Sequence, residues 1–148
     1  MLRFIQALAA YERQPDAVKV TEDVLSAQLS AAHPPFECLI AEADGAPAGF
    51  ALFFTSYSTW LGKTGIWLED LFVLPEVRRK GLGTALLRRL GELATERSSG
   101  RLEWSVLDWN QPAIDFYASL GAQLMGEWRI CRVEGAAFHN FVPRTTKA

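Results

Sequence analysis

The chain has 148 residues, of which 49% are hydrophobic and 22% are charged, and its formal net charge is −2 at pH 7. This length and composition predict one globular domain, residues 1–148, with a single core. The weak negative charge argues against a nucleic-acid partner, and no uncharged apolar stretch reaches the roughly 20 residues of a membrane span.

The cysteine and histidine pattern bears on the compartment and on metals. Cys38 and Cys131 lie far apart in apolar runs, and the only histidines are His33 and His139. This pattern predicts two buried thiols rather than a disulfide, and no metal site. The N-terminus also lacks the long apolar centre and cleavage site of a signal peptide. We therefore expect a cytoplasmic protein that binds no metal.

The first half of the chain predicts two helices followed by a meander of strands. Apolar residues at helical spacing indicate a first helix that ends before Pro15, and Thr21 is typical of the N-cap of a second. Strands are expected at residues 36–42, 49–58 and 65–74. Asp44-Gly45 predicts a hairpin turn between the first two strands.

The second half of the chain alternates helices and strands. The expected elements are a helix at residues 82–97, a strand at 101–107, a helix from 111 to 121, and a final hairpin with strands at 123–133 and 136–142. The complete order of elements indicates an α/β fold with a mixed sheet.

A basic, glycine-bearing loop, Arg78-Arg79-Lys80-Gly81-Leu82-Gly83-Thr84, stands between the third strand and its helix. Glycines let the backbone approach a ligand, and the N–H groups and dipole of a helix start attract phosphate. A P-loop would need Lys after the second glycine, and a dinucleotide fingerprint would need a third glycine where Leu86 stands. The remaining match, Arg-x-x-Gly-x-Gly, predicts a pyrophosphate site, with a plain glycine turn as the alternative.

A second motif, Asn-x-x-Ala-x-x-Phe-Tyr, runs from Asn110 to Tyr117 and is followed by Gly121. Together the two motifs resemble the signatures of the GNAT N-acetyltransferase superfamily. The chain is more specifically similar to the diamine (spermidine/spermine) and thialysine N-acetyltransferases over about residues 2–129. The stretches that carry this similarity are Leu8-Ala9-Ala10-Tyr11-Glu12, Trp60-Leu61-Gly62-Lys63, Leu68-Glu69-Asp70-Leu71-Phe72-Val73 and Trp109-Asn110-Gln111-Pro112.

The resemblance implies a GNAT fold, in which a mixed, mostly antiparallel central sheet is flanked by helices. The sequence departs from the family at two places. It begins at the first helix, so the family's first strand is missing, which suggests a late start site or an alternative N-terminus. Arg79 and Lys80 also replace smaller or apolar residues. The resemblance further implies a homodimer, in which residues 138–142 either contribute to the interface or complete the core of the monomer.

The resemblance also implies that acetyl-CoA is the acetyl donor. The backbone of Leu71, Phe72 and Val73 would hold its pantetheine arm like an added strand. The loop would hold the pyrophosphate through Arg78, Arg79, Lys80, Gly81, Leu82, Gly83 and Thr84. The cofactor would be lined further on by Asn110, Gln111, Pro112 and Ala113.

Acetyl transfer to an amine needs a base, donors for the oxyanion and a proton for the leaving thiolate. By resemblance Glu69 is the base, acting through water, and Tyr117 is the acid at the sulfur. An outward-facing strand carboxylate is the alternative reading of Glu69. Asp70 faces away from Glu69 in a regular strand, and a bulge would change this.

By resemblance, Tyr11 and Glu12 would bind the amine with Trp60 nearby, and Asp70 is also assigned to the substrate. The expected reaction is direct attack by a primary amine of a small molecule, of the diamine, polyamine or thialysine type, in a ternary complex. Two alternatives are a GNAT enzyme that acetylates protein amines and a non-catalytic sensor of acetyl-CoA. The presence of both Glu69 and Tyr117 disfavours the sensor.

Overall fold

The computed structural model describes residues 1–142. These residues belong to two compact units, and the boundary between the units lies between Ser105 and Val106 in the chain. The helices of the first unit are α1 (Leu2–Tyr11), α2 (Glu22–Leu29) and α3 (Leu82–Glu96). Its strands are β1 (Glu37–Ala43), β2 (Ala46–Ser58), β3 (Lys63–Val73) and β4 (Leu102–Trp104). The described part of the second unit contains α4 (Gln111–Ser119) and a 3-10 helix (Gly135–Phe141).

The four strands form one sheet in the order β1-β2-β3-β4. The first three strands are antiparallel neighbours, whereas β4 runs parallel to β3. Asp44 and Gly45 have φ angles of 53° and 76°, the left-handed conformation that a tight two-residue hairpin turn requires. The predicted mixed, mostly antiparallel sheet and its first hairpin turn are therefore confirmed.

Helices α1 and α3 cover opposite faces of this sheet. The ring of Phe4 on α1 stacks on Phe50 of β2, with centroids 5.7 Å apart. Arg97, just after α3, lies over Phe53 at 5.9 Å and forms a bidentate ion pair with Glu37 at 2.6 and 2.7 Å. Because Phe50 and Phe53 are three positions apart on β2, their side chains point to opposite faces.

Each face has its own apolar packing. On the α1 face, Phe4, Phe50, Leu52 and Phe72 form a buried cluster. On the other face, helix α3 buries Leu86, Leu87 and Leu90. Full burial of such a side chain contributes about 1.5–3 kcal/mol, so these contacts fix where both helices lie on the sheet.

A β-bulge interrupts β3 at Glu69. Leu52 of β2 is opposite Asp70, and the next residue, Phe53, is opposite Leu68, so Glu69 is an extra residue in β3. Since Leu52 belongs to the α1 face and Phe53 to the opposite face, the bulge moves Asp70 to the α1 face while Leu68 stays on the other. After the bulge the side chains of Asp70 and Phe72 therefore face α1, and those of Leu71 and Val73 face the opposite side of the sheet.

The predicted final hairpin is wrong. Residues 123–134 have no regular structure, and Gly135–Phe141 is a 3-10 helix, closed by a hydrogen bond from the Val142 N–H to the His139 carbonyl. Alternating apolar residues favour a strand, but a strand also needs a neighbour that offers its backbone, which periodicity does not reveal. The expected strand at residues 101–107 is also shorter, Leu102–Trp104.

The expectation of two buried thiols is half wrong. Cys38 lies half-buried on β1, where burial raises the pKa of its thiol, but Cys131 is exposed. The exposure of Cys131 follows from its place in the irregular segment, which buries few of its apolar side chains. Both cysteines are free. Within residues 1–142 no helix has the length and apolar character that a bilayer crossing requires.

Candidate active site

Beyond the bulge, one edge of β3 is open, in that no strand among residues 1–142 pairs with it. The N–H of Leu74 donates to a carbonyl of β2 at 2.9 Å, so the peptide groups of Leu74 and Phe72 face β2. Those of Leu71 and Val73 consequently face the other edge, where β4 pairs with β3 only as far as Leu68. Two of the three residues predicted to hold the pantetheine arm thus present backbone groups to this edge.

The predicted pyrophosphate loop does open α3. Gly81 is the N-cap with φ of +84°, and a Cβ placed there would meet no atom within 4 Å. The N–H groups of Leu82, Gly83 and Thr84 follow in the first turn, where no intrahelical acceptor exists. Arg79 has φ of 63°, a left-handed conformation that costs a non-glycine residue about 1 kcal/mol. Glycine, which has no Cβ, would avoid that strain.

Arg78 connects this loop to the end of β3 and to α1. Its Nε donates to the Val73 carbonyl at 2.9 Å. Its guanidinium carbon lies 5.0 Å from the centre of the Tyr11 ring and 5.5 Å from that of Phe72, distances of cation–π contact. The side chain of Arg78 therefore points back towards α1, whereas Arg79 and Lys80 are exposed on the loop.

An acidic group lies on the α1 face beside the bulge. The indole Nε1 of Trp67 donates to Oε2 of Glu69 at 2.9 Å. Burial, followed by the charges of Glu69 and Glu12, raises the pKa of Asp70 from 3.8 to about 6. Burial also raises the pKa of Glu12. The bulge thus brings Asp70 close to Glu69 and Glu12, and no metal-binding group of three or more His, Cys, Asp or Glu exists within residues 1–142.

The other residues predicted to bind the amine occupy two places. Tyr11 is at the end of α1, next to Glu12, with its ring under Arg78. Trp60 is 88% exposed at the tip of the β2–β3 hairpin. Six strand positions separate Lys63, at the start of β3, from Glu69, which corresponds to about 20 Å. The structure therefore brings Tyr11 and Glu12 to the acidic face and leaves Trp60 at the far end of the hairpin.

In the second unit, the predicted helix is confirmed as α4. Asn110 is its N-cap residue and accepts the Ala113 N–H at 3.0 Å through its backbone carbonyl, while Pro112 sits in the first turn. Tyr117 follows one turn after Ala113, so these two residues share a face. The ring of Tyr117 lies 5.5 Å from that of Phe116.

The role of Trp67 as a hydrogen-bond partner of Glu69 escaped prediction from the sequence. Residues two apart on a strand share a face, which is the signal that was available. That signal was ambiguous, because a tryptophan in an apolar run predicts a side chain that packs in the core. In addition, no residue type in the sequence indicates the bulge at Glu69.

We expect Asp70→Asn to stabilise the protein at about pH 8 and to have little effect at about pH 4. The raised pKa means that folded Asp70 binds its proton more tightly than unfolded Asp70, so stability falls as the pH rises from about 4 to 6 and stays lower above that. Removing the charge should raise the free energy of unfolding at pH 8 by about 2 kcal/mol. Urea denaturation at both pH values measures the free energy of unfolding of wild type and Asp70→Asn. Equal values at pH 8 would contradict a destabilising, buried charge on Asp70.

The sequence profile of the acetyltransferase (GNAT) family matches residues 3–122, most of the chain. The chain is 40% identical to thialysine N-epsilon-acetyltransferase of Bos taurus over 93% of its own length and 86% of the relative's. It is 34% identical to spermidine/spermine N(1)-acetyltransferase-like protein 1 of Homo sapiens, over 82% of this chain and 18% of the relative.

Among solved structures, the chain is similar to the integron cassette protein VCH_CASS6 from the mobile metagenome of V. cholerae. The TM-score is 0.75 and the sequence identity 27%, with 93% of this chain and 86% of that chain covered. The predicted resemblance to diamine and thialysine acetyltransferases is confirmed by the two relatives. The chain belongs to the GNAT acetyltransferase family and is an N-acetyltransferase.

Proposed function

We propose that the chain, acting as one domain over residues 1–148, transfers the acetyl group of acetyl-CoA to a primary amine of a small molecule. The observation that carries this proposal is the cluster of three carboxylates on the α1 face, those of Glu12, Glu69 and Asp70. None of the ion pairs among residues 1–142 involves these three acids. A small ligand with one or two ammonium groups would relieve their mutual repulsion.

The names of the relatives support the class of substrate. Thialysine, spermidine and spermine, the molecules in those names, carry primary amines, and each has more than one amine that is protonated near neutral pH. We therefore favour a diamine, polyamine or thialysine-like molecule. Acetylation of protein amines, such as lysine side chains or N-termini, is the alternative within the family.

The residues around β3 and α3 suit acetyl-CoA, which supplies the acetyl thioester when bound. At the open edge of β3, Leu71 offers its backbone N–H and carbonyl to the amides of the pantetheine arm, and Val73, whose carbonyl accepts from Arg78, offers its N–H. The first turn of α3 and the exposed cations Arg79 and Lys80 offer N–H groups and charge for a pyrophosphate. Arg78 would brace the loop against β3, and Asn110 to Ala113 would line the cofactor further on.

Glu69 would act as the base. An amine is mostly protonated near neutral pH, so a proton has to leave the nitrogen before it can form the new bond to the acetyl carbon. We propose that a water passes this proton to Glu69. Asp70 and Glu12 would hold the ammonium end of the substrate, with Tyr11 beside them, and Trp60 would contact only the distant end of an extended amine.

Tyr117 would act as the acid. When the carbon–sulfur bond breaks, the leaving sulfur needs a proton, and a tyrosine hydroxyl with an ordinary pKa near 10 is protonated at neutral pH. Neither cysteine is placed as a nucleophile in this scheme, so the amine attacks directly within a ternary complex. We also propose a homodimer and a cytoplasmic location, which accord with the family resemblance and the free thiols.

Release of thiol from acetyl-CoA against a panel of amines tests this proposal. The panel contains diamines, polyamines, thialysine, lysine and short peptides. We expect at least one small amine to accelerate release at least tenfold more than any peptide. Acceleration by peptides alone would favour the protein-amine alternative. Binding of coenzyme A without acceleration by any amine would favour the sensor.

A further inference from the structure

A side-chain hydrogen bond fixes the Glu69 carboxylate on β3. The indole Nε1–H of Trp67 donates to Oε2 of Glu69 at 2.9 Å. Glu69 is the bulged residue, which has no opposite residue in the β2–β3 register. The regular alternation of side chains along the strand therefore does not determine the position of this carboxylate. The hydrogen bond from the Trp67 indole determines it.

The indole is a suitable partner for a carboxylate that must accept a proton. An indole N–H can only donate, so Trp67 occupies one oxygen of Glu69 without taking a proton from it. Among the described residues, the other oxygen, Oε1, has no hydrogen bond and no ion pair. Oε1 is thus available to a water or to an amine nitrogen.

The orientation of a catalytic base affects the rate of proton transfer, and through it the turnover rate. Glu69 is exposed, and a glutamate in that setting samples several rotamers. A misplacement of about 1 Å of a reacting group can cost on the order of 100-fold in rate. A partner that holds one rotamer therefore raises turnover without adding to the affinity for the substrate.

We propose that Trp67 is a positioning residue of this enzyme, whose indole N–H orients the Glu69 carboxylate towards the amine. The inference rests on the proposed base role of Glu69. Trp67 also lies opposite Phe54 on β2, and it is half-buried. Phenylalanine keeps a ring at this position and removes only the donor, so Trp67→Phe separates orientation from packing.

A double-mutant cycle on the full chain tests the inference. The proteins are wild type, Trp67→Phe, Glu69→Gln and the double variant, assayed with the best amine of the panel. We expect Trp67→Phe to lower kcat about fivefold, with KM for both substrates within about twofold of wild type. Glu69→Gln should lower kcat about 100-fold, and adding Trp67→Phe to it should have no further effect.

The outcomes separate the two proposals. If Trp67→Phe leaves kcat unchanged, or lowers it equally in the Glu69→Gln background, Trp67 does not act through Glu69 and the inference fails alone. If Glu69→Gln retains wild-type kcat, the base role fails, and the inference with it. Trp128→Phe, at a tryptophan that is 69% exposed in the second unit, is the matched control and should retain wild-type kcat.

The hydrogen bond itself has a readout that does not depend on activity. The five tryptophans give five indole N–H signals in a proton–nitrogen NMR spectrum, and Trp67→Phe identifies one of them. We expect Glu69→Gln to move that signal upfield and to leave the others in place. An unmoved Trp67 signal would overturn the inference even if both variants lost activity.

Discussion

Replacing Tyr117 by phenylalanine should lower kcat about 100-fold and leave the affinity for coenzyme A within about threefold of wild type. The substitution keeps the ring, which packs 5.5 Å from Phe116, and removes only the hydroxyl. If that hydroxyl protonates the leaving sulfur, its loss slows bond breaking but not binding. Steady-state kinetics and calorimetric titration with coenzyme A measure the two effects.

A matched control is available for this substitution. Tyr57 is 62% exposed on β2 and has no proposed role, so Tyr57→Phe should retain wild-type kcat. A Tyr117→Phe variant with wild-type kcat would eliminate the acid role. A variant that loses affinity for coenzyme A in proportion to kcat would instead place Tyr117 in cofactor binding.

Replacing Gly49 by alanine should destabilise the protein by about 2–3 kcal/mol. A Cβ at this position of β2 would lie 2.7 Å from the carbonyl oxygen of Phe72 and 3.1 Å from Cγ2 of Val73. The nearest obstacle is backbone, which can move only if β3 moves with it. Because Leu71 and Val73 are proposed to hold the pantetheine arm, the affinity for coenzyme A should fall together with the stability.

Gly91→Ala is the matched substitution with the opposite expected sign. Gly91 lies within α3, and a Cβ there would meet no atom within 4 Å. Alanine favours the helix over glycine by up to about 1 kcal/mol, so this variant should be slightly more stable than wild type. Urea denaturation measures the free energy of unfolding of wild type, Gly49→Ala and Gly91→Ala. Equal unfolding free energies for wild type and Gly49→Ala would show that β2 and β3 tolerate the added methyl.

The parts of the fold that local chemistry determines were predictable from the sequence. The Asp44-Gly45 turn, the Thr21 cap and the Gly81 start of α3 each depend on one residue type in one conformation. Thr21 Oγ1 accepts the Val24 N–H at 3.4 Å as expected, and Gly81 takes the left-handed conformation. Such signals are readable because the responsible atoms are adjacent in the chain.

The irregular course of residues 123–134 was not predictable, because strand formation depends on a pairing partner as well as on the segment itself. The apolar residues of the segment 123–142 alternate in a way that favours strands, yet many of them, including Leu124, Ile130 and Phe141, are exposed in the structure. Apolar character reports a preference for burial, and it does not report which surface provides that burial. Pairing is a property of two segments, so a prediction from one of them was bound to be weak.

The candidate site shows the same division. Its acids were predictable as residue types, but their arrangement depends on the bulge at Glu69, which places Asp70 on the α1 face. The direction of Arg78 towards Tyr11 and the bond from Trp67 to Glu69 likewise arise from contacts across the fold. The residue types of the site could be predicted from the sequence, whereas the bulge in β3 determines which of their side chains lie on the same face of the sheet.

Mass spectrometry of the reaction products shows whether the enzyme transfers an acetyl group from acetyl-CoA to a small primary amine. The enzyme is incubated with isotopically labelled acetyl-CoA and an equal mixture of a diamine, its analogue with fully methylated nitrogens and a short lysine-containing peptide. We expect one labelled acetyl group on a primary nitrogen of the diamine, and none on the methylated analogue or on the protein itself. Label found only on the peptide, or on no amine while coenzyme A binds, would contradict it.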